Sequence, residues 1–236
     1  MTISFIIPTI NEEGNVNAVI DIILVLAGKL NLSYEILFVD DQSTDNTVRM
    51  IMLRAESNAR IRILSLPERK GLGFALWQGM LNASMEYILF LDCDLSVSEA
   101  DLERLVLTRS KESMVIGSRY MNGSKIVNAP KIKVFLSRTL NFLVSRISGV
   151  KIWDMSHSLR IFKNDNLFSP EAYSHPAFFW ELSVYMSRAG LVLREIPVTF
   201  VERRVGLTKN RMIGMIRSVR IGLLIVLRSR FKQINL

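Results

Sequence analysis

The chain has 236 residues, of which 49% are hydrophobic, and its formal net charge at pH 7 is +8. This length suits one α/β domain with a substantial core, and the single cysteine, Cys93, excludes an intramolecular disulfide. No apolar run reaches the ~18–20 residues of a membrane span, and the first residues lack the pattern of a signal peptide. We therefore expect a protein of a reducing compartment that does not cross a bilayer unaided.

Strand-like and helix-like segments alternate through the first half of the chain. Short apolar runs predict strands near Ile3–Pro8, Glu35–Asp40, Arg60–Leu66, Tyr87–Asp92 and Met114–Gly117. Amphipathic segments between them predict helices near Val16–Leu30, Asp45–Ser57, Gly73–Ser84 and Glu99–Ser110. This repetition predicts an α/β fold with a mostly parallel central sheet that is covered by helices on both faces.

The second half of the chain departs from this regular alternation. It predicts, in order, a helix near Lys131–Ile147, a strand near Ser156–Phe162, a helix near Phe178–Ala189 and a strand near Leu193–Phe200. A basic loop and a terminal helix follow. Because no repeat or long linker divides the chain, we expect one compact domain over residues 1–210 and the terminal helix over 211–236.

Two carboxylates, Asp92 and Asp94, follow the apolar run that ends at Leu91. Side chains alternate along a strand, so both carboxylates can point to one side where the strand leaves the sheet. Such a pair suits Mg²⁺ or Mn²⁺, since a cation of this kind is often held by one or two carboxylates and substrate phosphates. The alternative is that the pair only caps the next helix, a task for which Ser96 or Ser98 would suffice.

A second acidic pair, Asp40 and Asp41, follows another apolar run. In an open α/β sheet ligands bind beyond the carboxyl ends of the strands, so we expect both pairs at one edge of the sheet. Asp45 is typical of a helix N-cap, whereas the sequence offers no structural task for Asp40 and Asp41. Nearby, Gly71 and Gly73 form a lone G-x-G, which favours a close backbone approach at a helix start over a dinucleotide fingerprint.

The positive charge is concentrated at the C-terminal end. Arg203–Leu236 contains nine Lys or Arg and no Asp or Glu, and the rest of the chain has a net charge of −1. Cations alternate with apolar residues there, which is typical of a helix that lies on an anionic membrane surface. Docking onto a membrane protein or a second copy of the chain is the alternative. Nucleic acid is disfavoured, because the segment lacks interleaved aromatic residues.

A second stretch without acidic residues runs from 113 to 153 and contains seven Lys or Arg. Its apolar pattern predicts another amphipathic helix. Three interpretations remain open at this stage: an interfacial element, part of a pocket for an anionic acceptor, or a solvated basic face.

Taken in order, segments along most of the chain resemble glycosyltransferase family 2, and within it the polyprenyl (dolichyl) phosphate mannose or glucose synthases. Five matching segments in the first half are Ile7–Asn15, Val39–Thr47, Gly71–Ala75, Leu91–Ser96 and Gly117–Tyr120. Later matches are Ser137, Arg138, Asn141, Asp154–Arg160, Glu181, Arg203, Gly206, Thr208 and Lys209. The resemblance implies the nucleotide-sugar-binding α/β fold called GT-A.

The resemblance also implies a set of site residues. It assigns the nucleotide-sugar site to Pro8, Ile10, Glu12, Val39, Asp41, Asp92, Cys93, Asp94, Arg119, Arg203 and Lys209. It assigns Mg²⁺ or Mn²⁺ to Asp92 and Asp94, and an acceptor phosphate to Lys133 and Ser137. Glu12 is the candidate for the ribose hydroxyls.

The implied reaction is an inverting transfer of a sugar from a UDP- or GDP-linked donor to a polyprenyl phosphate at the cytoplasmic face of the membrane. Asp94 with its cation and Arg203 would stabilise the departing diphosphate, which is the catalytic task. A lipid phosphate is already anionic and needs no general base, whereas a sugar hydroxyl needs one, for which Glu181 is the candidate. Two alternatives remain: transfer to a hydroxyl of a lipid-linked or cell-surface glycan, and a non-catalytic nucleotide-binding subunit.

The chain departs from the family pattern at four places, and the mildest is Cys93, which replaces a small Ala between the two aspartates. Ile10 replaces an aromatic residue that would stack on the base, and Lys133 replaces an Arg, which keeps the charge but loses bidentate recognition. The segment Met155–Leu159 replaces the usual Pro-x-Ser-Gly-Phe before Arg160. The resemblance therefore does not define the geometry of the acceptor side of the site. His157 and His175 are assigned no role.

Overall fold

The computed structural model describes residues 1–165, 168–171, 173–202, 219–224 and 226–228. The strands are β1 (Thr2–Thr9), β2 (Ser33–Asp40), β3 (Ile61–Ser65), β4 (Tyr87–Phe90), β5 (Ser113–Ser118), β6 (Lys125–Val127), β7 (Arg160–Lys163), β8 (Val192–Pro197) and β9 (Thr199–Val201). The helices are α1 (Val16–Leu30), α2 (Thr47–Ser57), α3 (Leu72–Asn82), α4 (Glu99–Thr108), α5 (Lys131–Ser148) and α6 (Ala177–Arg188). Residues 219–224 and 226–228 are also helical.

A seven-stranded sheet with the order β3-β2-β1-β4-β7-β5-β8 forms the centre of the molecule. The pairs β1·β2, β1·β4, β2·β3 and β5·β8 are parallel, and β7 runs antiparallel to both of its neighbours. The predicted α/β fold with a mostly parallel sheet is therefore confirmed.

Helices cover both faces of this sheet, because the buried strands carry apolar side chains on both sides. On β1, Ile3, Phe5 and Ile7 belong to the core beneath α1, α2 and α4. Ile6 points the other way, into the core formed with α3, α5 and α6. The two cores hold the parallel strands rigidly, so that the loops at their carboxyl ends project from a fixed frame.

Two elements of the second half differ from the sequence prediction. The predicted strand Leu193–Phe200 is two strands, since β8 pairs with β5 and β9 pairs with β6 in a separate two-stranded sheet. Val198 makes the transition: its N–H donates to Ser118 O (3.1 Å), and its carbonyl accepts from Lys125 N (3.1 Å). The short strand β6 was not predicted, because three residues carry too little periodicity to be recognised.

The predicted strand Ser156–Phe162 begins later, at Arg160. The residues before it form a loop, because the Asp154 carboxylate accepts from the backbone N–H groups of Ser156 (3.3 Å) and His157 (3.1 Å). These bonds replace the ladder bonds that a strand would make.

The described part of the terminal helix packs against α6. Val226 is buried, and Val219 and Leu223 pack against the same core. Gly222 lies so close to α6 that a Cβ there would be 2.7 Å from Trp180 Cε3. The rest of the predicted helix over 211–236 lies outside the described residues. Within the part of the chain that the structure describes, every helix is too short or too polar to span a bilayer.

Candidate functional site

Three loops meet at one edge of the sheet, because β1, β2 and β4 are parallel neighbours whose carboxyl ends lie side by side. Each loop contains a non-glycine residue with positive φ: Asn11 (55°), Gln42 (66°) and Leu95 (53°). Such conformations are costly outside glycine and cluster at functional sites, where the surrounding structure maintains them. The acidic pairs that the sequence placed after two strands are therefore brought to this edge.

The loops after β1 and β2 are tied to each other by hydrogen bonds. Asn11 N donates to Ser43 Oγ (2.9 Å), Glu12 N donates to Thr47 Oγ1 (2.7 Å), and Asn46 N donates to a Glu13 carboxylate oxygen (3.0 Å). The Glu12 carboxylate in turn accepts from Asn15 Nδ2 at 2.6 Å. These bonds hold the predicted ribose ligand Glu12 in a defined position.

Asp41 has a structural task that the sequence did not reveal. Its two carboxylate oxygens accept from the N–H groups of Lys70 and Gly71, both at 2.8 Å. It therefore fixes the glycine loop before α3, where Gly71 adopts a φ of 89° and Gly73 packs against the Tyr173 carbonyl. The Val39 side chain beside it is fully buried in the core. The base contacts assigned to Asp41 and Val39 stay predictions.

The two carboxylates of Asp92 and Asp94, called the metal-type pair below, lie directly beyond β4. Asp92 is half-buried, and its Oδ2 accepts from Ser158 Oγ at 2.5 Å. Burial and the negative charge of Asp94 raise the pKa of Asp92 to about 6, although the Ser158 bond acts in the opposite direction. The charge of Arg119 lowers the pKa of Asp92 and that of Glu12 raises it, both less than burial does.

The chemistry of this pair fits a hard divalent cation. Asp94 Oδ1 accepts from Ser96 N (3.0 Å), which fixes that carboxylate beside its neighbour. Both carboxylates bind metals through oxygen, and a shared cation relieves the repulsion between their negative charges. Among the described residues there is no group of three or more His, Cys, Asp or Glu that could hold a metal. A cation that is held by two carboxylates commonly completes its coordination with substrate phosphates and water.

A buried ion pair lies next to the metal-type pair. Arg119 Nε donates to Asp154 Oδ2 (2.7 Å), and its Nη2 donates to Asp154 Oδ1 (2.8 Å) and to Ser156 Oγ (2.9 Å). Burial by itself would disfavour both charges, but their attraction more than offsets it, so the pKa of Asp154 is held well below its usual range and that of Arg119 is raised. The phosphate contact assigned to Arg119 stays a prediction, and this bidentate pair fixes its position.

The loop that carries Ser158 is held from beneath by the fully buried Arg160. The guanidinium of Arg160 donates to the carbonyls of His157 (2.8 Å) and Met155 (2.6 Å), and to Ser183 Oγ on α6 (2.6 Å).

His157 Nδ1 lies 2.6 Å from Gly117 O, and because a carbonyl only accepts, that nitrogen donates. Burial lowers the pKa of His157 to about 3, so the ring is neutral. Sequence reasoning did not single out Ser158, which is 66 positions from Asp92.

The remaining predicted donor-side residues lie in different surroundings. Pro8 and Ile10 are half-buried at the end of β1, whereas Cys93 is buried in the core beneath α1 and α4. Arg203 and Lys209 lie outside the described residues. Their roles stay predictions.

The predicted acceptor residues lie on α5. Ser137 Oγ accepts from Tyr120 O–H at 2.7 Å, which leaves the Ser137 proton available to another acceptor. Lys133 pairs with the Glu202 carboxylate. The predicted base, Glu181 on α6, accepts from Glu171 N at 2.7 Å. The roles of these three residues stay predictions.

The chain is similar to known proteins in both sequence and fold. Residues 4–168 match the model of the glycosyl transferase family 2. The chain belongs to this family and is a glycosyltransferase, as the resemblance implied.

Two polyprenyl-phosphate sugar transferases match most of this chain in sequence. The chain is 27% identical over 230 residues to a dolichyl-phosphate beta-glucosyltransferase of Trichomonas vaginalis, a match that covers 91% of this chain and 67% of that protein. It is 27% identical over 219 residues to an undecaprenyl-phosphate mannosyltransferase of Micrococcus luteus, with 89% of this chain and 87% of that protein covered.

Solved structures are similar in fold. One is the glucosyl-3-phosphoglycerate synthase of Mycobacterium tuberculosis in complex with Mn²⁺, UDP-glucose and phosphoglyceric acid. The TM-score is 0.69 at 21% identity, and the match covers 96% of this chain and 80% of that one. The same enzyme in complex with Mg²⁺ and UDP also has a TM-score of 0.69. These structures confirm the predicted GT-A type of fold.

Proposed function

We propose that this chain transfers a sugar, with inversion, from a nucleoside-diphosphate sugar to a polyprenyl phosphate. One observation supports the donor side above all: Asp92 and Asp94 lie just beyond β4, at the edge of the sheet where the loops after β1 and β2 also begin, and Ser158 holds the Asp92 carboxylate. The names of the two relatives, a dolichyl-phosphate and an undecaprenyl-phosphate transferase, support the acceptor half.

On the donor side, Asp92 and Asp94 would hold Mg²⁺ or Mn²⁺, and a bound cation would neutralise charge on the departing diphosphate. Ser158 keeps the Asp92 carboxylate oriented, and Arg119, which Asp154 holds in place, is proposed as a phosphate ligand. Arg203 and Lys209 are proposed as further cations at the diphosphate. UDP is favoured as the nucleotide over GDP, because the similar solved structures contain UDP or UDP-glucose.

On the acceptor side, a phosphate already carries the negative charge that attacks the sugar, so no general base is needed. Ser137 has a proton to donate to such a phosphate, and Lys133 is one turn away on the same helix. A lipid phosphate therefore suits the residues that α5 supplies. The enzyme is proposed to work at the cytoplasmic face of the membrane, with the basic segment 211–236 against anionic lipid.

The runner-up is transfer to a hydroxyl group, on a lipid-linked or cell-surface glycan. The similar solved enzyme, whose complex contains phosphoglyceric acid rather than a lipid, supports this alternative. Glu181 would then act as the base. The Glu181 carboxylate is engaged by the Glu171 backbone, so this role requires that contact to be exchanged for the acceptor.

The test is a transfer assay with UDP-glucose, UDP-galactose and GDP-mannose, each radiolabelled, and a short-chain polyprenyl phosphate. We expect a lipid-extractable product that mild acid cleaves. Asp94→Asn should lower turnover by at least about 100-fold, because the leaving-group charge is no longer stabilised. Asp21→Asn, at an exposed carboxylate on α1, is the matched control and should retain activity.

Other outcomes of this assay distinguish the alternatives. An acid-stable product would indicate a glycan hydroxyl as acceptor. Nucleotide binding without any product from any donor would indicate a non-catalytic subunit. Full activity of Asp94→Asn would remove Asp94 from the site.

A further inference from the structure

Two loops of the candidate site are joined by the segment 173–175, which lies before α6. Gly73 N donates to Tyr173 O at 2.9 Å, so one end of this segment lies on the glycine loop before α3. His175 Nε2 lies 3.1 Å from Ser156 O, so the other end lies on the loop before β7. His175 therefore belongs to the same edge of the sheet as these two loops.

The loop before β7 also contacts two other groups of the site. Ser158 Oγ donates to Asp92 Oδ2, and Ser156 Oγ accepts from Arg119 Nη2 at 2.9 Å. The carbonyl of the same Ser156 is the partner of His175. One short loop therefore fixes a metal-type carboxylate, a guanidinium and an imidazole relative to one another.

The contacts of the His175 ring determine which of its nitrogens carries the proton. A carbonyl only accepts, so Nε2 is the nitrogen that donates to Ser156 O. The Phe179 ring, whose centroid lies 5.5 Å away at an interplanar angle of 74°, packs edge-on against the imidazole and holds its plane. An exposed imidazole is mostly neutral at pH 7, so the other nitrogen, Nδ1, carries a lone pair and accepts hydrogen bonds.

The Nδ1 atom is left for a ligand. Among the residues that the structure describes, none makes a hydrogen bond to it, and His175 is exposed. A diphosphate is a poor match for this atom, because its oxygens offer lone pairs to a nitrogen that itself only accepts. Mg²⁺ is a poor match too, since it prefers oxygen ligands. A hydroxyl group donates to such a nitrogen, and a sugar carries several.

We propose that His175 Nδ1 accepts a hydrogen bond from one hydroxyl group of the transferred sugar and so contributes to the choice of sugar. This inference rests on the proposed function, because it requires a nucleoside-diphosphate sugar in the site. A sugar that lacks this hydroxyl group, or carries it in the opposite configuration, loses the bond. Such a sugar is therefore bound more weakly.

The test compares two variants by titration calorimetry, with Mn²⁺ and without an acceptor. In His175→Gln the amide nitrogen reaches the position of Nε2, so the bond to Ser156 O is kept and the acceptor at Nδ1 is lost. In His175→Asn the side-chain oxygen takes the position of Nδ1, so an acceptor is kept. The probes are the sugar nucleotide that the unchanged chain binds most tightly among UDP-glucose, UDP-galactose and GDP-mannose, and the matching free nucleoside diphosphate.

We expect His175→Gln to bind the sugar nucleotide about tenfold more weakly than the unchanged chain does, since one hydrogen bond is lost. Both variants should bind the free diphosphate like the unchanged chain, which also shows that they are folded and that the loop before β7 keeps its place. His175→Asn should bind the sugar nucleotide with an affinity within about threefold of that of the unchanged chain.

Monodeoxy analogues of the same sugar nucleotide identify the hydroxyl group. The unchanged chain should bind one analogue about tenfold more weakly than the parent compound, and with that analogue His175→Gln should cause no further loss. With the other analogues the effects of the substitution and of the missing hydroxyl group should be independent.

Three results would overturn the inference. One is equal affinity of His175→Gln and the unchanged chain for the sugar nucleotide. Another is an equal loss with the free diphosphate, which would make His175 a support of the loop or a metal ligand. The third is an independent loss with every monodeoxy analogue. Because calorimetry requires no transfer, each result can occur while the polyprenyl-phosphate assay succeeds, so the two failures are distinguishable.

Discussion

Single side chains in the site are positioned by partners that are distant in sequence. Ser158 Oγ donates to Asp92 Oδ2 at 2.5 Å from a loop that Arg160 and Asp154 hold in place. Ser158 lies in the segment Met155–Leu159, where this chain departs from the pattern that the resemblance implies. Its hydroxyl favours one orientation of the Asp92 carboxylate.

Ser158→Ala should weaken Mn²⁺ binding in the presence of UDP by about tenfold, because partners that orient a ligand typically contribute this much to metal affinity. Titration calorimetry of Mn²⁺ into the chain with UDP measures the change directly. Ser57→Ala, at a serine whose hydroxyl bonds only the end of α2, is the control. Unchanged Mn²⁺ affinity in Ser158→Ala would show that the hydroxyl does not position Asp92.

Asp154→Asn should lower the free energy of unfolding by about 3–5 kcal/mol, because it leaves the buried Arg119 guanidinium without its counter-charge. The exposed pair Arg54–Asp21 provides the comparison, and Asp21→Asn should cost less than about 1 kcal/mol. Urea denaturation of both variants measures the difference. Equal losses for the two substitutions would refute a special role for the buried pair.

At the scale of the elements, packing of the terminal helix against α6 depends on one small residue, Gly222. A Cβ on Gly222 would lie 2.7 Å from Trp180 Cε3 and 2.9 Å from Ala177 Cβ. Both neighbours belong to α6 and are almost completely buried, so neither can move aside cheaply. The face of the same helix that bears Ile221, Leu224 and Leu227 is exposed.

Gly222→Ala should therefore destabilise the protein by about 1–3 kcal/mol through overpacking, although alanine is the better helix former. Gly28→Ala on α1 is the matched control: a Cβ there has nothing within 4 Å, and we expect a gain of about 0.5–1 kcal/mol. Thermal unfolding of the two variants should thus shift in opposite directions. A stabilised Gly222→Ala variant would mean that the helix does not dock on α6 as described.

For the whole molecule, the buried His157 makes stability depend on pH. Burial lowers the pKa of His157 to about 3, so its ring is neutral in the fold, whereas His175 is exposed. In the unfolded chain His157 becomes protonated near pH 6.5, so the unfolded state takes up more protons as the pH falls below this value. The contribution of His157 to stability is present above pH 6.5 and is lost as the pH falls toward the folded pKa.

We expect the contribution of His157 to the free energy of unfolding to fall by about 1 kcal/mol between pH 7 and pH 5.5. Asp92 acts in the opposite direction, because its raised pKa of about 6 favours the folded state as the pH falls. Urea denaturation of the unchanged chain and of His157→Gln at the two pH values should therefore give slopes that differ by this amount. Identical slopes for this variant and the unchanged chain would exclude His157 as the cause.

The sequence alone determined the architecture of the first half and the location of the metal-type pair. The reason is that periodicity is local: each strand and helix there is signalled by its own residues, and parallel strands bring their carboxyl ends to one edge of the sheet. Asp92 and Asp94 could therefore be placed without any knowledge of their neighbours.

Only the tertiary structure decided which partners these residues have. Asp41 binds the loop before α3, Arg119 pairs with Asp154, and Ser158 reaches Asp92, across separations of 30 to 66 positions. Likewise, the apolar pattern of α5 predicted an amphipathic helix, but packing decided which of its two apolar faces the core would cover. Such contacts depend on the relative placement of whole elements, and this placement results from packing of the two cores rather than from local sequence.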